Sequence, residues 1–168
     1  MQTATEFSTD LIDGFIDEVT LEVISTMLDW ERPAAISKKV SLAPESFTIA
    51  EVNGSIGFGG RVTGTVFLSL SSEQASAMAE SLIGQPVAAD ADEVLDVVSE
   101  LTNMIAGGIK TRLNDAGFAT VMTIPSVIRG PSIRVAGKDI QFRLENEFEA
   151  AGSSGSFRVI MIGKVSND

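Results

Sequence analysis

The chain contains no cysteine and no histidine. The first absence excludes a disulfide framework and any thiolate metal site. The second removes the usual general base, the serine–histidine and cysteine–histidine arrangements of nucleophilic catalysis, and the commonest ligand of a transition metal. No apolar run approaches the ~20 residues of a bilayer-spanning helix, and the acidic start (Glu6, Asp10, Asp13) lacks the positive opening of a secretory signal. The cytoplasm is the simplest address. Bases are also scarce, 12 Lys and Arg against 23 Asp and Glu, and the net charge of −11 repels nucleic acid and anionic lipid. Any catalysis has to come from carboxylates, amides, hydroxyls, lysine or arginine.

What is present is enough for a folded domain. With 168 residues and 44% hydrophobic content the chain can bury a substantial core, and no linker or internal repeat divides it, so residues 1–168 read as one domain. The acids are unevenly placed. Residues 1–31 hold eight (Glu6, Asp10, Asp13, Asp17, Glu18, Glu22, Asp29, Glu31) and no base, whereas residues 110–164 hold eight bases against five acids. The acidic helix either solvates its own exposed face or steers a basic partner surface.

Residues 9–31 have apolar side chains at helical spacing (Ile12, Phe15, Ile16, Val19, Val23, Met27, Trp30), ending before Pro33. Strand-like alternation follows over 36–42, 47–58 and 62–70. Gly59-Gly60 between the last two is a hairpin signal; with no Gly-Lys-Ser/Thr and no helix after them, these glycines do not make a phosphate-binding loop. A short helix over 73–83 ends at Gly84. Asp90 or Asp92 can cap a long helix running to about 116, which Gly117 closes. Strands are expected near 118–128, 133–135, 140–146 and 156–165, with turns at Gly130-Pro131 and 151–155. The fold class is α+β in two layers: an antiparallel β-sheet packed by an N-terminal helix, a short helix and a long helix.

On a wheel of about 100° per residue, the long helix separates into two stripes. Leu95, Val98, Leu101, Ile105, Ile109, Leu113 and Ala116 form the face that packs on the sheet. Asp96, Glu100, Asn103, Gly107, Lys110 and Asn114 form the opposite one. Arg112 falls inside the apolar arc without an evident reason. Gly107-Gly108 lies mid-helix, where each glycine costs about 0.5–1 kcal/mol relative to alanine, and such a pair usually marks the close approach of another backbone or a partner. Glu100 and Asn103 stand side by side. A carboxylate offers charge, and a carboxamide offers a donor and an acceptor that can hold a water in line for attack. Phosphoryl transfer needs mainly such positioning. By itself, a Glu and an Asn three apart on a helix are most often a solvated face, and the pairing alone does not decide for function.

The stretch Asp96-Val-Val-Ser-Glu100-Leu-Thr-Asn103-Met-Ile-Ala-Gly107-Gly108-Ile-Lys110-Thr111, with Pro125 downstream, resembles the signature of the CheC/CheX/FliY phosphatases: an acid or serine, Glu four residues on, Asn three further, Pro some twenty later. Residues 60–70 resemble the strand before the helical pair in CheX-like members, and 123–127 the strand after the motif helix. The resemblance implies a phosphatase acting on the aspartyl phosphate of a CheY-like response regulator, in chemotaxis or a related two-component pathway. Glu100 would engage a receiver lysine and Asn103 would place the attacking water. Asp96, Gly107 and Lys110 would contact the partner, while Gly108 and Pro125 would be structural. The chain would need no metal or cofactor of its own, because the receiver supplies a divalent ion. Family members with two sites carry a second Glu-x-x-Asn on the N-terminal helix. Here Glu18-Val-Thr-Leu21 ends in leucine, so one site per chain is expected, with a homodimer by analogy to CheX. The competing readings are a catalytically silent docking domain for a response regulator and a purely structural oligomerisation domain.

Overall fold

The computed structural model describes residues 6–42, 45–151 and 155–166. Helix α1 (Thr9–Met27) is followed by strands β1 (Glu31–Leu42), β2 (Phe47–Ile49), β3 (Val52–Gly60) and β4 (Val62–Leu70). Helices α2 (Ser72–Ile83) and α3 (Asp92–Asp115) come next, and then β5 (Thr120–Met122), β6 (Ser126–Arg129), β7 (Ile133–Val135), β8 (Phe142–Ala151) and β9 (Phe157–Val165). The main sheet has the order β1-β8-β9-β4-β3-β5, with β6 also pairing β3, and every pairing is antiparallel. The three helices cover one face of this sheet. The β2–β7 ribbon covers part of the other, over Phe67, Ile160 and Ile162. The α+β architecture is the expected one, and the ribbon adds a thin third layer.

Local chemistry sets the helix ends. Ser8 Oγ accepts from Leu11 N at 3.1 Å to start α1, and Ser71 Oγ accepts from Gln74 N at 3.1 Å to start α2. Gly84 (φ 82°) and Gly117 (φ 92°) take the left-handed conformation after α2 and α3. Neither Asp90 nor Asp92 caps α3: the N-cap is Ala91, which has no side-chain bond to offer. Asp92 and Glu93 lie instead in the first turn, where acids favour the helix N-terminus through its dipole.

Helix α1 is shorter than its periodicity. It stops at Met27, and the chain turns through Asp29 (φ 51°) into β1, because pairing with β8 recruits residues from Glu31 onward. Pro33 lies within that strand, at an irregular step in the register, and is tolerated because β1 is a sheet edge. The alternating run 47–58 divides into two strands of different sheets, and the expected strand 118–128 divides into β5 and β6. Strand β8 runs to Ala151 rather than 146, and residues 152–154 of the expected 151–155 turn lie outside the described residues.

The acids of α1 do not all face solvent. Asp13 and Asp17 keep only 11% and 17% of their side chains exposed, and Lys38 of β1 bridges them at 3.2 and 2.5 Å. The buried Asn146 of β8 donates from Nδ2 to Asp17 Oδ1 at 2.8 Å. Hydrogen bonding to Asp17, reinforced by Asp13 and opposed by partial burial, raises the Lys38 pKa above 10.5. These two acids tie the edge strand to α1, so they serve neither solvation nor steering.

Candidate functional site

Helix α3 is positioned by its apolar arc. Val98, Leu101, Ile105, Ile109 and Leu113 are buried, as the wheel places them. The packed arc is wider than the wheel, since Val94, Val97, Thr102 and Ala106 are buried too, while Leu95 and Ala116 are only half-buried. At Gly54 the strand leaves room for a side chain of the helix: a β-carbon there would stand 1.7 Å from Thr102 Oγ1. Thr102 completes the contact by donating to Val98 O at 2.6 Å.

The opposite stripe is turned outward. Asp96 and Glu100 are exposed, and Asn103, Gly107 and Lys110 are half-buried. Among the described residues, no hydrogen bond or ion pair engages the side chains of Asp96, Glu100, Asn103 or Lys110. Asn114 departs from the stripe in function: its Oδ1 accepts from Thr120 N at 2.7 Å and its Nδ2 donates to Thr120 O at 3.4 Å, latching the helix end to β5. The stripe thus presents two carboxylates, an amide and an ammonium, all free to meet an outside group.

The two glycines have different surroundings. A β-carbon on Gly108 would stand 2.6 Å from Val19 Cγ1, so its hydrogen allows α1 and α3 to touch. A β-carbon on Gly107 would meet nothing closer than Met122 Cε at 3.8 Å, an ordinary contact. Nothing within the described chain requires glycine at 107.

Pro125 belongs to a bulge in the edge of the sheet. Thr123 is fixed to Gly57 by two bonds, its N–H to Gly57 O at 2.9 Å and Gly57 N to its Oγ1 at 3.0 Å. Ser126 pairs with Ser55. Two residues, Ile124 and Pro125, therefore oppose the single residue Ile56, which is buried under the helices. Proline, with no N–H for the ladder, suits this interruption. The bulge is aligned with the motif. Met122 on one side of it borders Gly107, and Val127 on the other pairs with Gly54, which abuts Thr102. The segment 124–125 consequently lies alongside the turn of α3 between Thr102 and Gly107, the turn that holds Asn103.

Arg112, unexplained by the wheel, joins α3 to α1: its Nε and Nη2 each lie 3.3 Å from a carboxylate oxygen, of Glu18 and Glu22 respectively. A sequence signal existed in the two acids four apart on a helix without a base, facing one arginine in an otherwise apolar arc. Glu18, which begins the Glu18-Val-Thr-Leu21 run of α1, is thereby occupied.

A second concave region, of about 490 Å³, lies on the outer face of the sheet and collects Lys39, Arg134, Arg143 and Arg158 with Glu145 and Glu147. Its buried charges are used internally. Glu145 meets Arg158 at 2.9 Å and Arg143 at 3.6 Å, and Arg143 also donates to Glu45 O and stacks on Phe47. These pairs fasten β2 to the sheet, far from the motif stripe. Among the described residues, no group of three acids comes together as a metal site, and no helix is long and apolar enough to cross a membrane.

Three helices on one face of a curled antiparallel sheet are the fold of CheC-like and CheX chemotaxis proteins. Solved structures of this class superpose on the chain: a CheC-like superfamily protein from Shewanella sp. PV-4 (26% identity, TM-score 0.76, 94% of this chain and 99% of that one) and the chemotaxis protein CheX from Desulfovibrio desulfuricans (22%, 0.75, 91% and 99%). A third is a chain of the CheX–CheY–BeF3–Mg2+ complex from Borrelia burgdorferi (24%, 0.69, 93% and 98%). No protein of curated function matches. The family model for the chemotaxis phosphatase CheX matches residues 52–147, more than half of the chain, and the protein belongs to the CheX family.

Proposed function

We propose that this protein hydrolyses the aspartyl phosphate of a CheY-type receiver domain, with Asn103 orienting the water and Glu100 holding a lysine of the receiver. The observation that carries this reading is the pairing of the two side chains on a rigidly packed helix, outward and without internal partners. An amide committed to its own fold could not release its oxygen and N–H to a water. The Borrelia relative was solved with CheY, BeF3 and Mg2+, which supports a receiver as the partner.

The chemistry is a displacement at phosphorus. The Asn103 carboxamide oxygen accepts a hydrogen bond from water and turns its lone pair toward the phosphorus. The new P–O bond forms as the bond to the aspartyl oxygen breaks, so the receiver regains its carboxylate, and both protons of the water leave with inorganic phosphate as H2PO4−. Glu100 needs a cation to be useful there. Two like charges 4 Å apart repel by about 4 kcal/mol at an effective dielectric of 20, so a lone carboxylate beside the phosphate would slow the reaction. Paired with a receiver lysine, it fixes register instead. The divalent ion comes with the receiver. Asp96 and Lys110 lie at the two ends of the stripe, and Gly107 leaves room for the partner's backbone between them.

A receiver partner supports a cytoplasmic address. Homodimerisation fits the exposed edge strand β1, on which Ile36, Val40 and Leu42 are 44%, 46% and 71% exposed. Catalysis is tested by following acyl-phosphate loss from phosphorylated receivers with and without the protein. Accelerated loss is the expected result, whereas binding without acceleration would make the protein a docking domain.

A further inference from the structure

Ile124 is 83% exposed, the most exposed of the large apolar side chains among the described residues. Its position is not that of a mobile tip. Thr123 before it is locked to Gly57 by two hydrogen bonds, Pro125 after it restricts the backbone, and Ser126 resumes the ladder. The bulge holds an apolar residue in water on a fixed support, and bulges beside active sites commonly re-aim a side chain in this way. Ile124 sits in the segment that bulges opposite Ile56, between Met122, which borders Gly107, and Val127, which pairs with Gly54, and so at the sheet edge beside the turn that holds Asn103.

We infer that Ile124 is an apolar anchor for the receiver domain, desolvated against an apolar part of the receiver's surface when the motif stripe docks, and that it supplies affinity to the encounter. This rests on the phosphatase reading above. The motif stripe itself is polar, and polar contacts in water fix register more than they supply affinity. A docking face generally needs a desolvated apolar centre, and Ile124 is the exposed apolar residue adjoining the stripe. Val121, also 66% exposed, does not share this position. It pairs with Gly59 on the sheet face turned away from the helices, and it provides an internal control.

The test is steady-state dephosphorylation of a CheY-type receiver phosphorylated with acetyl phosphate and Mg2+, comparing wild type, Ile124→Asp, Ile124→Val and Val121→Asp. Ile124→Asp should raise KM about tenfold or more with kcat at saturation within about twofold. Ile124→Val should stay near wild type, and Val121→Asp should leave KM unchanged. Both aspartate variants should keep the wild-type melting temperature, because the replaced side chains are already in water. Equal effects of Ile124→Asp and Val121→Asp on KM would overturn the anchor, as would an unchanged KM in Ile124→Asp. A change in oligomeric state on Ile124→Asp, measured by sedimentation, would assign the residue to contact between copies and overturn it too. Failure of the phosphatase reading looks different: wild type itself would then not accelerate phosphate loss.

Discussion

Gly108 of α3 lies so close to Val19 of α1 that a β-carbon on the glycine would stand 2.6 Å from Val19 Cγ1 and 3.1 Å from Cγ2. Valine is stiff about χ1 and cannot swing aside, so the two helices would have to separate. One residue earlier, Gly107 has no such neighbour. The pair allows a direct comparison of two glycines in the same helix.

Gly108→Ala should destabilise the fold. Overpacking costs about 1–3 kcal/mol, and the better helix propensity of alanine returns only about 0.5–1. Adding Val19→Ala should restore part of the loss. Gly107→Ala should stabilise by up to about 1 kcal/mol while weakening affinity for the receiver. Denaturant midpoints and receiver titrations on the same variants separate the two effects.

Arg112→Met keeps the apolar stem and deletes the contacts to Glu18 and Glu22. Both carboxylates are largely exposed, 66% and 69%, so the loss should be no more than about 1 kcal/mol. The difference from wild type should shrink further in 1 M salt, where the screening length is roughly 3 Å. A loss several times larger, insensitive to salt, would mean that the arginine acts by packing.

Lys38 imposes an alkaline limit. Its pKa in the fold is raised above the unfolded value of 10.5, principally by its hydrogen bond to Asp17. The stabilisation is therefore complete below pH 10.5 and is lost as pH rises through the folded pKa. Thermal unfolding followed from pH 8 upward should show a decline above 10.5 that is smaller in Lys38→Met. Identical pH profiles would show that the bridge to Asp13 and Asp17 contributes no linked stability.

Glu100→Ala should weaken receiver binding and turnover together, since the carboxylate acts by meeting a partner cation. The wild-type advantage should diminish with salt. Titration with a beryllofluoride-activated receiver measures this directly, and undiminished affinity would remove Glu100 from the docking role.

Much of the motif helix was legible because its signal is local. Period 3.6 places Leu101, Ile105 and Ile109 on one side and Glu100, Asn103 and Gly107 on the other whatever surrounds them. The β3–β4 hairpin at Gly59-Gly60 and the end of α2 at Gly84 were legible for the same reason. What stayed hidden depends on distant partners. Residues 47–58 alternate without a break, yet the chain changes sheet after Ile49, where Ala50 N donates to Ser69 Oγ and Asn53 Nδ2 donates to Ala50 O. Helical spacing continues past Met27, but the pairing of β1 with β8 claims the residues from Glu31. The bulge at Ile124-Pro125 and the role of Arg112 likewise exist only once β3 and α1 are in place.

The phosphatase reading stands or falls on the Asn103 carboxamide. The decisive measurement compares wild type with Asn103→Ala, recording acyl-phosphate loss from a phosphorylated receiver and affinity for the same receiver activated by beryllofluoride. Loss of acceleration by about 10² or more, the scale of removing one positioning group, with affinity retained within about threefold, is the expected result. Turnover near the wild-type rate in the alanine variant would contradict it and place the water-orienting group elsewhere.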